Sequence, residues 1–138
     1  MDAQQEMYSL QEIFEVVKQL TGFSGDIMMQ AVRDNRYVEQ GGVEAILKHI
    51  QEGGRAEAEI VKENLAEMFE KNLQKARVPY VGFEVTMESE EVLRLYTFRD
   101  KDRAIVKEVI KDMRLPELSE LQVDMTDRKR VMDMEPGR

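Results

Sequence analysis

Within Pro79–Arg114 the spacing of apolar residues changes from every second residue to helical, and that change limits the folds open to the chain. Val81, Phe83, Val85 and Met87 alternate with Tyr80, Gly82, Glu84 and Thr86, the signature of a strand with one buried face. Val92–Phe98 is a second run rich in β-branched and aromatic residues. Glu88-Ser89-Glu90-Glu91 between them is too polar to bury, so the two runs are predicted to pair as an antiparallel hairpin. Ile105, Val106, Val109, Ile110 and Met113 then fall at helical spacing, with Asp100 or Asp102 placed to cap the start. A lone hairpin is marginal in water, so its apolar face has to pack on helices.

Upstream, Ser9-Leu10-Gln11-Glu12 has the form of a capping box. The stripe Leu10, Ile13, Phe14, Val17, Leu20 predicts a helix over 9–20, after a frayed 1–8. Ser24 or Gly25 opens a second helix through Asn35, and Val43 a third that stops at Gly53-Gly54. Residues 57–61 either begin a long helix or form a short edge strand, and the strand is preferred. Leu65, Met68, Phe69 and Leu73 are spaced as a helix ending before Val78-Pro79. With a strand at 56–61 the order strand, helix, strand, strand, helix is that of a ferredoxin-like βαββαβ unit. Leu121–Met125 would supply its last strand. The predicted domain is α+β and spans 9–125. It has N-terminal helices, then a small antiparallel sheet with helices on one face, and a polar tail at 126–138.

The formal charge is −8. Fourteen acids against eight bases leave −6 in residues 1–76, and fourteen against twelve leave −2 in 77–138. Such a field repels phosphate backbones and favours encounter with basic surfaces, so direct nucleic-acid binding is not expected. The three-residue cluster Arg128-Lys129-Arg130 is too short to reverse that expectation. No apolar run approaches the ~20 residues of a membrane span, and MDAQQEMYSL lacks the basic start and apolar core of a signal peptide. Zero cysteines exclude disulfides and thiolate chemistry and suit a cytoplasmic setting.

No motif carries catalysis. His49 is the only histidine and flanks an apolar helical face, which fits a surface histidine better than a general base. The glycine pairs lack the lysine and hydroxyl of a phosphate loop and serve as helix punctuation. No serine sits in a nucleophile elbow. Neither a cofactor nor a metal site is expected. The methionines in apolar stripes suit core filling. The carboxylates gather in two places: Glu63, Glu67 and Glu70 as a helical ridge, and Glu84, Glu88, Glu90 and Glu91 around the hairpin loop.

Several segments taken together resemble the PcfB-like proteins of conjugative plasmids and related mobile elements. They are Leu20-Thr21-Gly22 after an apolar helix, the glycine-punctuated link to Ile46-Leu47-Lys48, a helix through Phe69 and Lys75, Val78-Pro79-Tyr80-Val81, and the closing Leu93–Met113. The resemblance covers about residues 16–114. It implies an α+β domain with a non-enzymatic role in mobile-element biology, exercised through protein contacts, and it supplies no catalytic residues. Small acidic proteins of such elements also resemble anti-CRISPR inhibitors of host nucleases. The leading expectation is therefore an inhibitor whose seven acids occupy the basic channel of a nucleic-acid enzyme such as a CRISPR effector. The alternative is an adaptor of conjugative transfer that docks on a relaxase or coupling protein.

Overall fold

Alternation and helical spacing take the places in the backbone that the sequence predicts for them. The computed structural model describes residues 3–113, with side chains from residue 10 onward. In chain order these form α1 (Ala3–Thr21), α2 (Gly25–Arg33), β1 (Tyr37–Gln40), α3 (Gly42–Gln51), β2 (Ala56–Lys62), α4 (Glu63–Lys75), β3 (Tyr80–Thr86) and β4 (Val92–Arg99). A 3-10 turn, Asp100–Asp102, leads into α5 (Arg103–Met113). The predicted last strand at 121–125 and the tail at 126–138 lie outside the described residues.

The α+β class holds: among the described residues, N-terminal helices precede a four-stranded sheet of order β1-β3-β4-β2 with antiparallel neighbours. Residues 56–61 are strand, within β2. Since β4 lies between β2 and β3, the run β2-α4-β3-β4-α5 has the split βαβ arrangement.

Helices cover both faces of the sheet, not one. On the first face Leu10, Ile13, Phe14 and Val17 of α1, Met28 of α2 and Ile46 of α3 pack against Ile60, Val81, Phe83, Val85 and Leu95. On the second, Ala66, Phe69 and Leu73 of α4 and Val106, Val109 and Ile110 of α5 meet Val61, Tyr80, Tyr96 and Phe98. The residues between Val81 and Val85 therefore do not face water. Gly82 is opposite Tyr96 across the ladder, and a Cβ there would meet the Tyr96 ring at 2.7 Å. The glycine leaves the space that the aromatic ring fills.

Other details differ from the expected pattern. The helix at the N-terminus begins at Ala3, so Ser9 lies in its interior and not at its start; Ala3-Gln4-Gln5-Glu6-Met7 are all good helix formers and extend it. Ser24 does cap α2, its hydroxyl accepting from the Ile27 amide at 3.3 Å. The Asp100 and Asp102 carboxylates bind His49 and the Arg99 guanidinium. Strand β1 was not anticipated. Met68 is 57% exposed, and Leu20 and Ile105 are also exposed, since each stands at the margin of its helix's apolar stripe. No helix among the described residues is long and apolar enough to cross a membrane.

Candidate functional site

The hairpin turn and the first turns of α4 share one end of the molecule. Strand β2 ends beside the start of β4, Lys62 against Leu93, and Thr86 pairs with Val92 on the other side. Glu63, the first residue of α4, is therefore on the order of 10 Å from the turn, about two strand spacings. Glu67 follows one helical turn later.

The turn itself is tightly specified. The Glu90 amide donates to the Met87 carbonyl at 2.9 Å and the Met87 amide to the Glu91 carbonyl at 2.7 Å. This is a three-residue loop, Glu88-Ser89-Glu90, whose last position adopts the left-handed conformation. Glu90 occupies it with φ 70°. Glycine is the usual residue there, because a Cβ in this region costs ~1–2 kcal/mol. The chain thus holds an acid at the loop tip where a glycine would be more stable. Glu88, Glu90 and Glu91 are all exposed.

The seven acids do not form one surface. Glu63 and Glu67 are exposed, and Glu67 pairs with Lys71 at 3.3 Å on the same helix face. Glu70 turns inward. Its carboxylate accepts from the Tyr96 hydroxyl at 2.5 Å and from Arg94 at 3.4 Å. Glu84 also faces Arg94, at 3.8 Å. Arg94 thus lies between two half-buried carboxylates, and its Nε has no partner. Burial, then the neighbouring Glu70 carboxylate, pushes the Tyr96 phenol far above its ordinary pKa. Glu70 and Glu84 tie α4 to β3 and β4, whereas Glu63, Glu67, Glu88, Glu90 and Glu91 form the outer rim. Met68 stands out of α4 next to Glu67 and gives that rim an apolar point.

A second set of inward acids lies toward the opposite end. Arg103 donates to both Glu57 and Glu59 on β2, and its guanidinium lies 4.8 Å above the Phe98 ring. Those bonds, outweighing burial, raise the Arg103 pKa further.

The opposite pole also carries a cleft of about 440 Å³, lined by residues that include Glu44, Lys48, His49, Glu52, Arg99 and Lys101. His49 Nε2 lies 2.5 Å from Asp100 Oδ1, a pairing that lowers the Asp100 pKa. Gly54 presses on the imidazole, where any Cβ would fall 2.2 Å from Nε2. The ring is thereby clamped between α3 and the 3-10 turn. Among the described residues no serine or threonine lines this cleft. Among the described residues no group of three or more histidines or carboxylates is placed to hold a metal.

Sequence spacing alone put Glu70 with Glu63 and Glu67. The signal that separates them was present in the hairpin. A turn closed between Met87 and Glu91 sets Glu84 opposite Arg94 and puts Arg94 and Tyr96 on one face, ready to receive an acid from α4. Comparison with family models, with curated proteins and with solved structures finds no significant match for this chain.

Proposed function

We propose that this chain is a non-enzymatic, cytoplasmic mobile-element protein that inhibits a nucleic-acid-handling effector nuclease of the CRISPR type. The acidic rim enters the basic channel that holds nucleic acid and presents carboxylates where phosphates would lie. Glu90 is the observation that carries this reading. An acid kept at φ 70°, on the exposed tip of a hydrogen-bonded hairpin and against the backbone's preference, is the kind of local strain that functional sites hold. Glu88 and Glu91 flank it and Glu63 and Glu67 extend the negative field along α4. Met68 supplies an apolar contact inside a charged rim, the pattern of a protein–protein surface. The resemblance of its segments to PcfB-like proteins is the support for a mobile-element origin.

The test is inhibition of DNA cleavage by a panel of purified CRISPR effectors. Inhibition by the wild-type chain that weakens as salt rises supports charge mimicry. Absence of inhibition across the panel rejects it. In that event the adaptor reading is tested by binding to a purified relaxase and coupling protein.

A further inference from the structure

The helical layer on the first face of the sheet carries a surface built differently from the acidic rim. Helix α2 opens against the middle of α1: a Cβ at Gly25 would sit 3.8 Å from that of Phe14. Beside this contact an open groove of about 410 Å³ lies between the two helices. Phe14 and Met29 are its floor. Phe14 is 3% exposed and meets the Phe83 ring edge to face at 5.4 Å. Met29 is only half-buried against the same core, which leaves part of its side chain open to the groove. Gln11, Glu12, Glu15 and Asp26 stand exposed around the floor, and among the described residues no base lines it.

These acids are left unanswered where others are not. Glu57 and Glu59 face Arg103, Glu70 and Glu84 face Arg94, and Glu67 pairs with Lys71. Glu12, Glu15 and Asp26 take part in none of the ion pairs found among the described residues. Glu12 and Glu15, three residues apart, are neighbours on the surface of α1. Asp26 faces them from the first turn of α2, where it and the Ser24 cap already answer the positive end of that helix. The groove therefore holds a negative field over an apolar floor. Among the described residues the acids are not grouped to hold a metal. Phosphate backbones and anionic membranes are repelled. A second copy of the chain would bring a charge of −8 to the same field.

We propose that the α1–α2 groove takes a short, basic, amphipathic helix of a partner protein. Its mode is helix-in-groove, with a third helix laid on a pair. From Gln11 to Glu15 the groove follows about one turn of α1, ~6 Å at 1.5 Å per residue. One apolar side chain is enough to fill that length, seated on Phe14 and Met29. Lysines or arginines three or four residues to either side of it then meet Glu12, Glu15 and Asp26. The proposal does not rest on the inhibitor reading. Helices α1 and α2 cover one face of the sheet and α4, with Glu63 and Glu67, the other, so groove and rim are separate contacts.

The probe is a synthetic helical peptide with one central leucine between lysines spaced three and four residues apart. It is titrated into the full chain and followed by amide chemical shifts and by fluorescence anisotropy. Shifts should gather at residues 11–15 and 25–29, and binding should weaken as the Debye length falls from ~30 Å at 0.01 M salt to ~8 Å at 0.15 M. Glu12→Lys/Glu15→Lys should weaken binding about 10-fold or more. Met29→Ala, or serine in place of the peptide's leucine, should weaken it about 5-fold. Glu108→Lys/Asp112→Lys makes the same charge change on α5 and should alter binding less than about 2-fold at the higher salt. Absence of binding, an equal loss in the α5 variant, or indifference to both apolar changes would overturn the proposal. Shifts confined to α4 and Glu88–Glu91 would overturn it by moving the basic partner to the rim. Groove shifts that depend on protein concentration without peptide would assign the groove to a second copy. Groove shifts caused by Arg128→Glu/Lys129→Glu/Arg130→Glu without peptide would assign it to the chain's own basic cluster, and either result overturns the proposal. The shift map of the wild-type chain needs no variant, so a variant that fails to fold leaves the test intact.

Discussion

The inward acids and the rim acids are the same residue type in two different physical situations. Glu57, Glu59, Glu70 and Glu84 lie between the sheet and α4 or α5, each facing arginine, and Glu70 also accepts from Tyr96. Glu63, Glu67, Glu88, Glu90 and Glu91 are exposed around one end. The first group uses charge to fix how the α4–α5 layer sits on the sheet. The second contributes little to folding, since a solvated carboxylate lost to mutation changes stability by less than ~0.5 kcal/mol. Net charge therefore overstates the surface available to a partner. Two of the seven residues that first look like one acidic surface, Glu70 and Glu84, already face arginine from within.

The largest effect expected from this contrast is at Glu59. Replacing it with alanine leaves Arg103 without one of its two carboxylates in a site where Glu59 is 2% exposed. Removing one partner of a buried pair costs ~3–5 kcal/mol. Glu63→Ala, at the rim, should stay within ~0.5 kcal/mol. Urea denaturation measures both, and similar values would erase the distinction.

Tyr96→Phe sharpens it further. The variant leaves the half-buried Glu70 carboxylate without its short hydrogen bond, at a cost of ~1–3 kcal/mol. The phenol also predicts a pH dependence. Tyr80 and Tyr96 have pKa values raised above 10.0, by burial first in both cases. Because the folded-state values lie above the unfolded one, this stabilisation is full below the ordinary phenol pKa of 10.0, where the unfolded chain starts to ionise, and is lost as pH rises from there through the folded-state value. Ultraviolet titration should show the Tyr96 phenol ionising only together with unfolding on the alkaline side, and Tyr80 ionising above the ordinary phenol range. Normal titration of all four tyrosines in folded protein would contradict their burial.

Smallest and of opposite sign is Glu90→Gly. Relief of the left-handed strain outweighs the added freedom of the unfolded chain and should stabilise the fold by ~0.5–1 kcal/mol. It should at the same time weaken partner binding. Stabilisation without loss of binding would remove the argument that strain is kept at Glu90 for contact.

The strand pattern at Val81–Met87 and the helical spacing at Ile105–Met113 were legible in the sequence because each runs long enough to show its period. Strand β1 was not. Tyr37-Val38-Glu39-Gln40 is too short to show alternation, and it forms because Asn35, at φ 57°, turns the chain so that residues 37–40 meet 80–83. Coverage of both sheet faces was hidden by Gly82 and Glu84, which read as a wet face. Tyr96 and Arg94, supplied by the neighbouring strand, fill and neutralise it. The rim acids were identified as exposed from composition alone, but Glu70's commitment depends on a partner 26 residues away. Local spacing carries no trace of that pairing until the hairpin register is set.

Charge reversal at the rim, compared with neutralisation inside, tests the central claim most directly. Glu88→Lys/Glu90→Lys/Glu91→Lys and Glu63→Lys/Glu67→Lys are each assayed for circular dichroism and for inhibition of the effector nuclease, beside Glu70→Gln. Both rim variants should keep the wild-type spectrum and lose inhibition, with association at low salt slowed ~10-fold or more. Glu70→Gln should inhibit as well as the wild type wherever it remains folded. Full inhibition by both folded rim variants would contradict the account and move the contact to an apolar surface such as that around Met68.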